Sequence, residues 1–121
     1  LHDCRCATEF LFDAAQLESF CVAACPRHGL TVVGCLFHAF HDAAGKPAGV
    51  TGTVVLAESH LAIHTWPEVA GVTLDVYVCN FSGDNSGRAH QLFAEMITAF
   101  APARLERQEV ARGHLVPVHG T

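Results

Sequence analysis

Apolar residues recur along this chain in two rhythms, and the switches between them mark out its elements. In residues 13 to 25, Ala14, Leu17, Cys21, Ala24 and Cys25 fall at steps of three and four, which places them along one side of a helix. Asp13 stands where its carboxylate can cap the first turn, and Pro26 and Gly29 are expected to end the helix. The stretch LTVVGCLFHAF carries β-branched and aromatic residues without helical phase, as a largely buried strand does. HDAAGKPAG then reads as a turn and residues 50 to 57 as the next strand. HLAIHTW continues in extended alternation after an interruption near Glu58 and Ser59. In LDVYVC the alternation is clean: Leu74, Val76 and Val78 share one face, and Asp75, Tyr77 and Cys79 the other, more polar one. NFSGDNSG is a loop. From Ser86 a second helix presents Ala89, Leu92, Phe93, Met96, Ile97 and Phe100 as one apolar stripe that Pro102 stops. RLERQEVARG is expected to be a final short strand with its charges on one side, and the last eight residues a tail. Short links between successive strands favour an antiparallel sheet with both helices on one face, an α+β two-layer sandwich.

Composition narrows the classes of function. A chain of 121 residues is expected to form one domain with one modest core. Half its residues are apolar and 16% are charged, as in a folded domain and not a disordered segment. No apolar run approaches the roughly 20 residues needed to span a bilayer, so no membrane association is expected. The net charge is −5 and the seven Lys and Arg are scattered, which leaves no basic stripe for nucleic acid. Nothing near Leu1 resembles a basic and then apolar leader, and the chain start is expected to be trimmed. Four of the six cysteines sit in apolar patterns, so buried thiols in a reducing cytoplasm are expected, not disulfides.

Nine histidines invite a metal hypothesis, which the spacing does not support. HLAIH has the four-residue step of a zinc-binding helix but lacks the glutamate after the first histidine, and it lies in a strand-like segment. On a strand, His60 and His64 would share a face about 13 Å apart, too far for one ion. CRC and CVAAC lack the separation of a zinc knuckle, and no G-x-S-x-G elbow surrounds any serine. No metal is expected, and His38 and His41 are read as structural.

The run VVLAESHLAIHTWPE, residues 54 to 68, is the densest chemistry in the chain. A serine hydroxyl at a strained bend can attack the carbonyl of the residue before it, converting the Glu58–Ser59 amide to an ester. A nearby base can then take the serine α-proton and expel the Glu58 carboxylate. This leaves dehydroalanine, which hydrolyses to a pyruvoyl group with loss of ammonia. Ser59 and His64 have opposite strand parity, so a bend just after Ser59 is expected to bring them together.

These residues, with FHAF upstream and VYVC downstream, resemble the bacterial S-adenosylmethionine decarboxylase proenzyme family from about Leu30 to Gly113. The resemblance implies cleavage into residues 1–58 and 59–121, with Ser59 becoming the pyruvoyl group. It implies His64 as the processing histidine, Cys79 as the thiol that protonates product, and Thr51 in place of a helper serine. Phe40 would stack on adenine and Glu68 grip the ribose, with Leu61 and Trp66 lining the same pocket. The implied cofactor is the pyruvoyl group alone, without metal or pyridoxal phosphate. The implied activity is decarboxylation of S-adenosylmethionine for spermidine synthesis, by a cytoplasmic homodimer. The family's first strand would be missing at the N-terminus, with LHDC matching its end.

Two segments depart from the family pattern. After TWPE, Val69 to Thr73 replace Tyr-Gly-Tyr-Ala-Ala, and CNFSGDNSGRA replaces a Cys-Gly and acidic loop. The scaffold is shared with pyruvoyl-dependent decarboxylases of ornithine or arginine, which keeps those substrates open. A non-catalytic paralogue is the reading from another class. Taken singly, His64, Cys79, Phe40 and Trp66 have packing explanations; their joint order and spacing is what points to chemistry.

Overall fold

The alternating segments close into a four-stranded antiparallel sheet in the order β2-β3-β4-β5 (Val32–His41, Pro47–Leu56, Ser59–Trp66 and Gly71–Val78). The computed structural model describes residues 1 to 79 and 86 to 110. Two short strands, β1 (His2–Cys4) and β6 (Pro102–Arg104), pair in a second small sheet. Helix α1 (Ala14–Arg27) packs on β2 and β3, and α2 (Ser86–Phe100) packs on β5. This is the expected α+β sandwich. Among the described residues no helix is long and apolar enough to cross a membrane.

Parity decides which residues meet the helices. Val50, Val54 and Leu56 on β3, Leu61 and Ile63 on β4, and Val72 on β5 are buried against Leu17, Cys21 and Cys25 of α1 and Leu92, Met96 and Phe100 of α2. Burial pushes the Cys21 thiol up to about 12 and the Cys25 thiol up to about 11, so both are inert packing groups. No disulfide joins the six cysteines. At the ends of the helices, Arg27 and His28 both reach Glu95, with His28 Nε2 2.7 Å from its Oε1. The Arg27 guanidinium holds that carboxyl below its usual range.

Several boundaries differ from the sequence reading. Asp13 caps α1 as expected, its Oδ1 accepting from the Gln16 N–H at 3.1 Å. Pro26, however, lies inside the last turn, and Gly29 alone ends the helix. With Gly29 at φ 76°, the Gly29 N–H bonds the Pro26 carbonyl and the Leu30 N–H the Cys25 carbonyl, closing the turn through two backbone bonds and burying Leu30. β3 starts three residues early, at Pro47, where the first position of a strand tolerates a missing donor. The last strand among the described residues is Pro102–Arg104, and the expected strand RLERQEVARG does not form over residues 105 to 110, which lie exposed without a ladder because β1 offers partners only to Pro102 and Arg104. The NFSGDNSG loop, apart from Ser86 and Gly87 in α2, and the tail lie outside the described residues.

Thr65 is the one buried polar side chain among the described residues. Its hydroxyl donates to the Leu11 carbonyl at 2.6 Å and accepts the Val50 N–H at 2.8 Å, tying the Thr8–Leu11 turn to the sheet beneath the site. Thr65→Val keeps the shape and removes both bonds. It is expected to cost about 2–4 kcal/mol, read as a lower urea midpoint with unchanged slope.

Candidate active site

β3 and β4 place the histidine-rich run on the face of the sheet that neither α1 nor α2 covers. Register pairs Thr51 with His64, and both side chains point away from the core. Thr51 Oγ1 lies 3.1 Å from His64 Nδ1, which fixes the imidazole plane. The next outward residue along β4 is Trp66, its ring 6.2 Å from that of His64. Pro67 begins a short turn over Pro67–Val69 that carries Glu68, and Ala70 closes it in the left-handed region at φ 49°.

Phe40, Thr51, His64, Trp66 and Glu68 thus line one cleft of about 220 Å³. Gly49 forms part of its wall, where a Cβ would lie 2.2 Å from the Thr65 carbonyl oxygen, so only glycine lets the two strands approach this closely. Four of the five predicted substrate and helper positions share this cleft with His64. Leu61 does not. It is fully buried on the opposite face, because one step of register from His60 turns its side chain to the helices.

The second cluster lies at the other end of β4. Ala57 and Glu58 form the tight link from β3, so the interruption seen in the sequence is the hairpin tip itself. Ser59 is already the first residue of β4, paired with Val78. The Cys79 N–H donates to the Glu58 carbonyl oxygen at 3.1 Å. The carbonyl of the Glu58–Ser59 bond is therefore held by the residue whose thiol the sequence singles out. Sequence reading missed this backbone donor, because a main-chain N–H leaves no trace in residue type.

The structure does not bring Ser59 and His64 together. β4 runs unbroken from Ser59 to Trp66, with no bend after Ser59. Five residues of strand separate the two by roughly 16 Å, on opposite faces. His60, Ala62 and His64 all face outward with their pairs on β5, so no helix-type histidine pair exists here.

Comparison with known proteins gives this arrangement its class. The crystal structure of the adenosylmethionine decarboxylase from Aquifex aeolicus superposes with a TM-score of 0.71 at 27% identity, over 96% of this chain and 91% of that one. The decarboxylase fold is thus shared nearly end to end. A family profile described as S-adenosylmethionine decarboxylase matches residues 2–113. The S-adenosylmethionine decarboxylase proenzyme of Syntrophomonas wolfei is 40% identical over 110 residues, 89% of this chain and 79% of that protein. That of Pelotomaculum thermopropionicum is 43% identical over 76 residues, 63% of this chain and 56% of that protein, so the match spans about half of that relative. The chain belongs to the S-adenosylmethionine decarboxylase family.

Proposed function

We propose that the chain is a self-processing enzyme that converts S-adenosylmethionine to its decarboxylated form and carbon dioxide, using a pyruvoyl group made from Ser59. The observation that carries this reading is the hydrogen bond from the Cys79 N–H to the Glu58 carbonyl. When Ser59 Oγ attacks that carbonyl carbon, negative charge collects on its oxygen, and a donor already in place stabilises it. The C–N bond then breaks to leave an ester. Removal of the Ser59 α-proton expels the Glu58 carboxylate, and water replaces nitrogen in the remaining dehydroalanine, releasing ammonia. The residues present fit the group, since its precursor serine begins a strand paired with Val78, the residue before Cys79.

A pyruvoyl group at residue 59 would supply a carbonyl able to bind the substrate amine and an electron sink for loss of carbon dioxide. The other tasks fall to side chains. Cys79 delivers a proton to the substrate α-carbon. In the cleft, the faces of Phe40 and Trp66 attract the sulfonium, worth about 0.5 to 2 kcal/mol, and the Glu68 carboxylate accepts from ribose hydroxyls. The setting is a reducing cytoplasm, which six thiols suit, and the product feeds spermidine synthesis.

The working form is a homodimer. Leu36, Phe40, Val55 and Trp66 all stand exposed on the helix-free sheet face, Leu36 by 70%. A second copy covers such a face and completes a site whose two halves are apart in one chain.

Intact mass of the purified chain tests the reading: two pieces, with the second beginning in pyruvoyl, are expected, and one stable full-length species overturns it. Assays with ornithine and arginine beside S-adenosylmethionine test the substrate. Cys79→Ala keeps the backbone donor and should still be cleaved. It should then turn over slowly, and mass spectrometry should find C-terminal pieces that begin with alanine in place of pyruvoyl, the mark of a proton delivered to the wrong atom. Full turnover with an intact pyruvoyl group would reduce Cys79 to packing.

A further inference from the structure

The first side chain beyond the residue that becomes pyruvoyl is His60, and none of the chemistry above uses it. It lies on the open sheet face, paired with Val55 on β3 and Tyr77 on β5. Its ring stacks on that of Tyr77, centroids 5.3 Å apart and planes 25° from parallel. Its Nε2 lies 3.3 Å from Oδ2 of Asp75. Both side-chain partners belong to β5, the strand that leads into Cys79, and neither belongs to β3.

Cleavage changes the mechanical position of this residue. In the closed chain, residue 59 is tethered to β3 through Ala57 and Glu58. In the cut chain it is an end, and strand ends open at almost no free-energy cost. The Cys79 N–H bond to Glu58 ceases to fasten the C-terminal piece, because Glu58 departs with the other piece. Beyond the backbone ladder to β5, what remains nearest the reactive end is the stack and hydrogen bond of His60.

On the self-processing reading above, we propose that His60, Asp75 and Tyr77 form a positioning clamp that holds the residue-59 end of the cut chain in register with β5, within reach of the Cys79 thiol. His60 is a positioning residue that acts through its neighbour. The clamp works in either charge state of the ring, since Nε2–H donates to Asp75 in both. It has little to do before cleavage, when the hairpin holds the same residues, and its full effect appears afterwards.

The test compares closed and cut chains. Wild type, His60→Ala and Asp75→Asn are followed by gel for cleavage, by peptide-level hydrogen exchange over residues 59 to 64, and by steady-state kinetics with S-adenosylmethionine. The same substitutions are made in a Ser59→Ala background that stays closed. Cleavage of His60→Ala is expected within about threefold of wild type, while exchange in its cut form rises roughly tenfold and changes less than about twofold in the closed background. Its kcat should fall roughly ten- to hundredfold with KM within about threefold, as for a misplaced reacting group. Asp75→Asn keeps an acceptor for the ring N–H and should hold both readouts near those of the wild type. If His60→Ala fails to fold, Asp75→Ala carries the same comparisons. Equal exchange increases in closed and cut chains would make the contact ordinary strand packing. Unchanged exchange and kcat would make it idle, and loss of cleavage would move His60 into processing; each overturns the clamp. An uncut wild type, seen first on the same gel, overturns the self-processing reading and the clamp together.

Discussion

Ser59→Ala is expected to yield a single uncut chain with no decarboxylase activity above background, while its circular dichroism and oligomeric state stay those of the wild type. The hydroxyl is the only nucleophile placed at the Glu58 carbonyl in this reading, and it is also the atom source of the cofactor. One substitution therefore removes both processing and turnover, which no other single change in the chain should do so completely. The structural cost is small, since Ser59 begins a strand whose ladder to Val78 is backbone to backbone. Intact mass after prolonged incubation reads the result. Any fragment ending at Glu58 in this variant would show that cleavage does not need the Ser59 hydroxyl, and the pyruvoyl reading would fall.

The second large effect concerns which copy supplies His64. Within one chain the Thr51–His64 pair lies roughly 16 Å along β4 from Ser59 and on the other face. It cannot serve as base for its own Ser59 in this conformation. The sheet face that carries it, covered by neither α1 nor α2, exposes Leu36, Phe40, Val55 and Trp66, so a second copy packed there would bring His64 of one chain to the hairpin of the other. Light scattering should give twice the chain mass. His64→Ala homodimers should then be cleaved about a hundredfold more slowly or worse, the usual cost of losing a placed base. Ser59→Ala homodimers should not be cleaved. In mixed dimers of the two variants, purified through different tags, the His64→Ala chain should be cut, because it keeps Ser59 and borrows His64 from its partner. A monomeric mass, or a His64→Ala chain left uncut in isolated mixed dimers, would confine the site to one chain.

Much of this molecule could be read from local pattern. The stripe from Leu92 to Phe100, the cap at Asp13 and the alternation through LDVYVC depend on spacing within one element, and spacing is a property of sequence. The ends of elements were less legible. Pro26 looked like a stop, yet Gly29 ends α1, because a helix closes where carbonyls find donors and two lie just beyond the proline. The strand expected at RLERQEVARG needs a neighbour, and β1 is only three residues long.

The candidate site divides in the same way. Sequence alone determined which residues are candidates for the chemistry and which family they mark, because a serine after a glutamate, a histidine, a tryptophan, a glutamate and a cysteine in this order are covalent facts. Tertiary structure decided which of them meet. The sheet register set Thr51 beside His64, and strand parity sent Leu61 into the core. An unbroken β4 kept Ser59 from His64, and a backbone N–H from the next strand reached the Glu58 carbonyl. Side-chain type travels with the chain, but proximity depends on pairings between distant segments and on the two-residue period of a strand, where one step of register moves a group to the opposite face of the sheet.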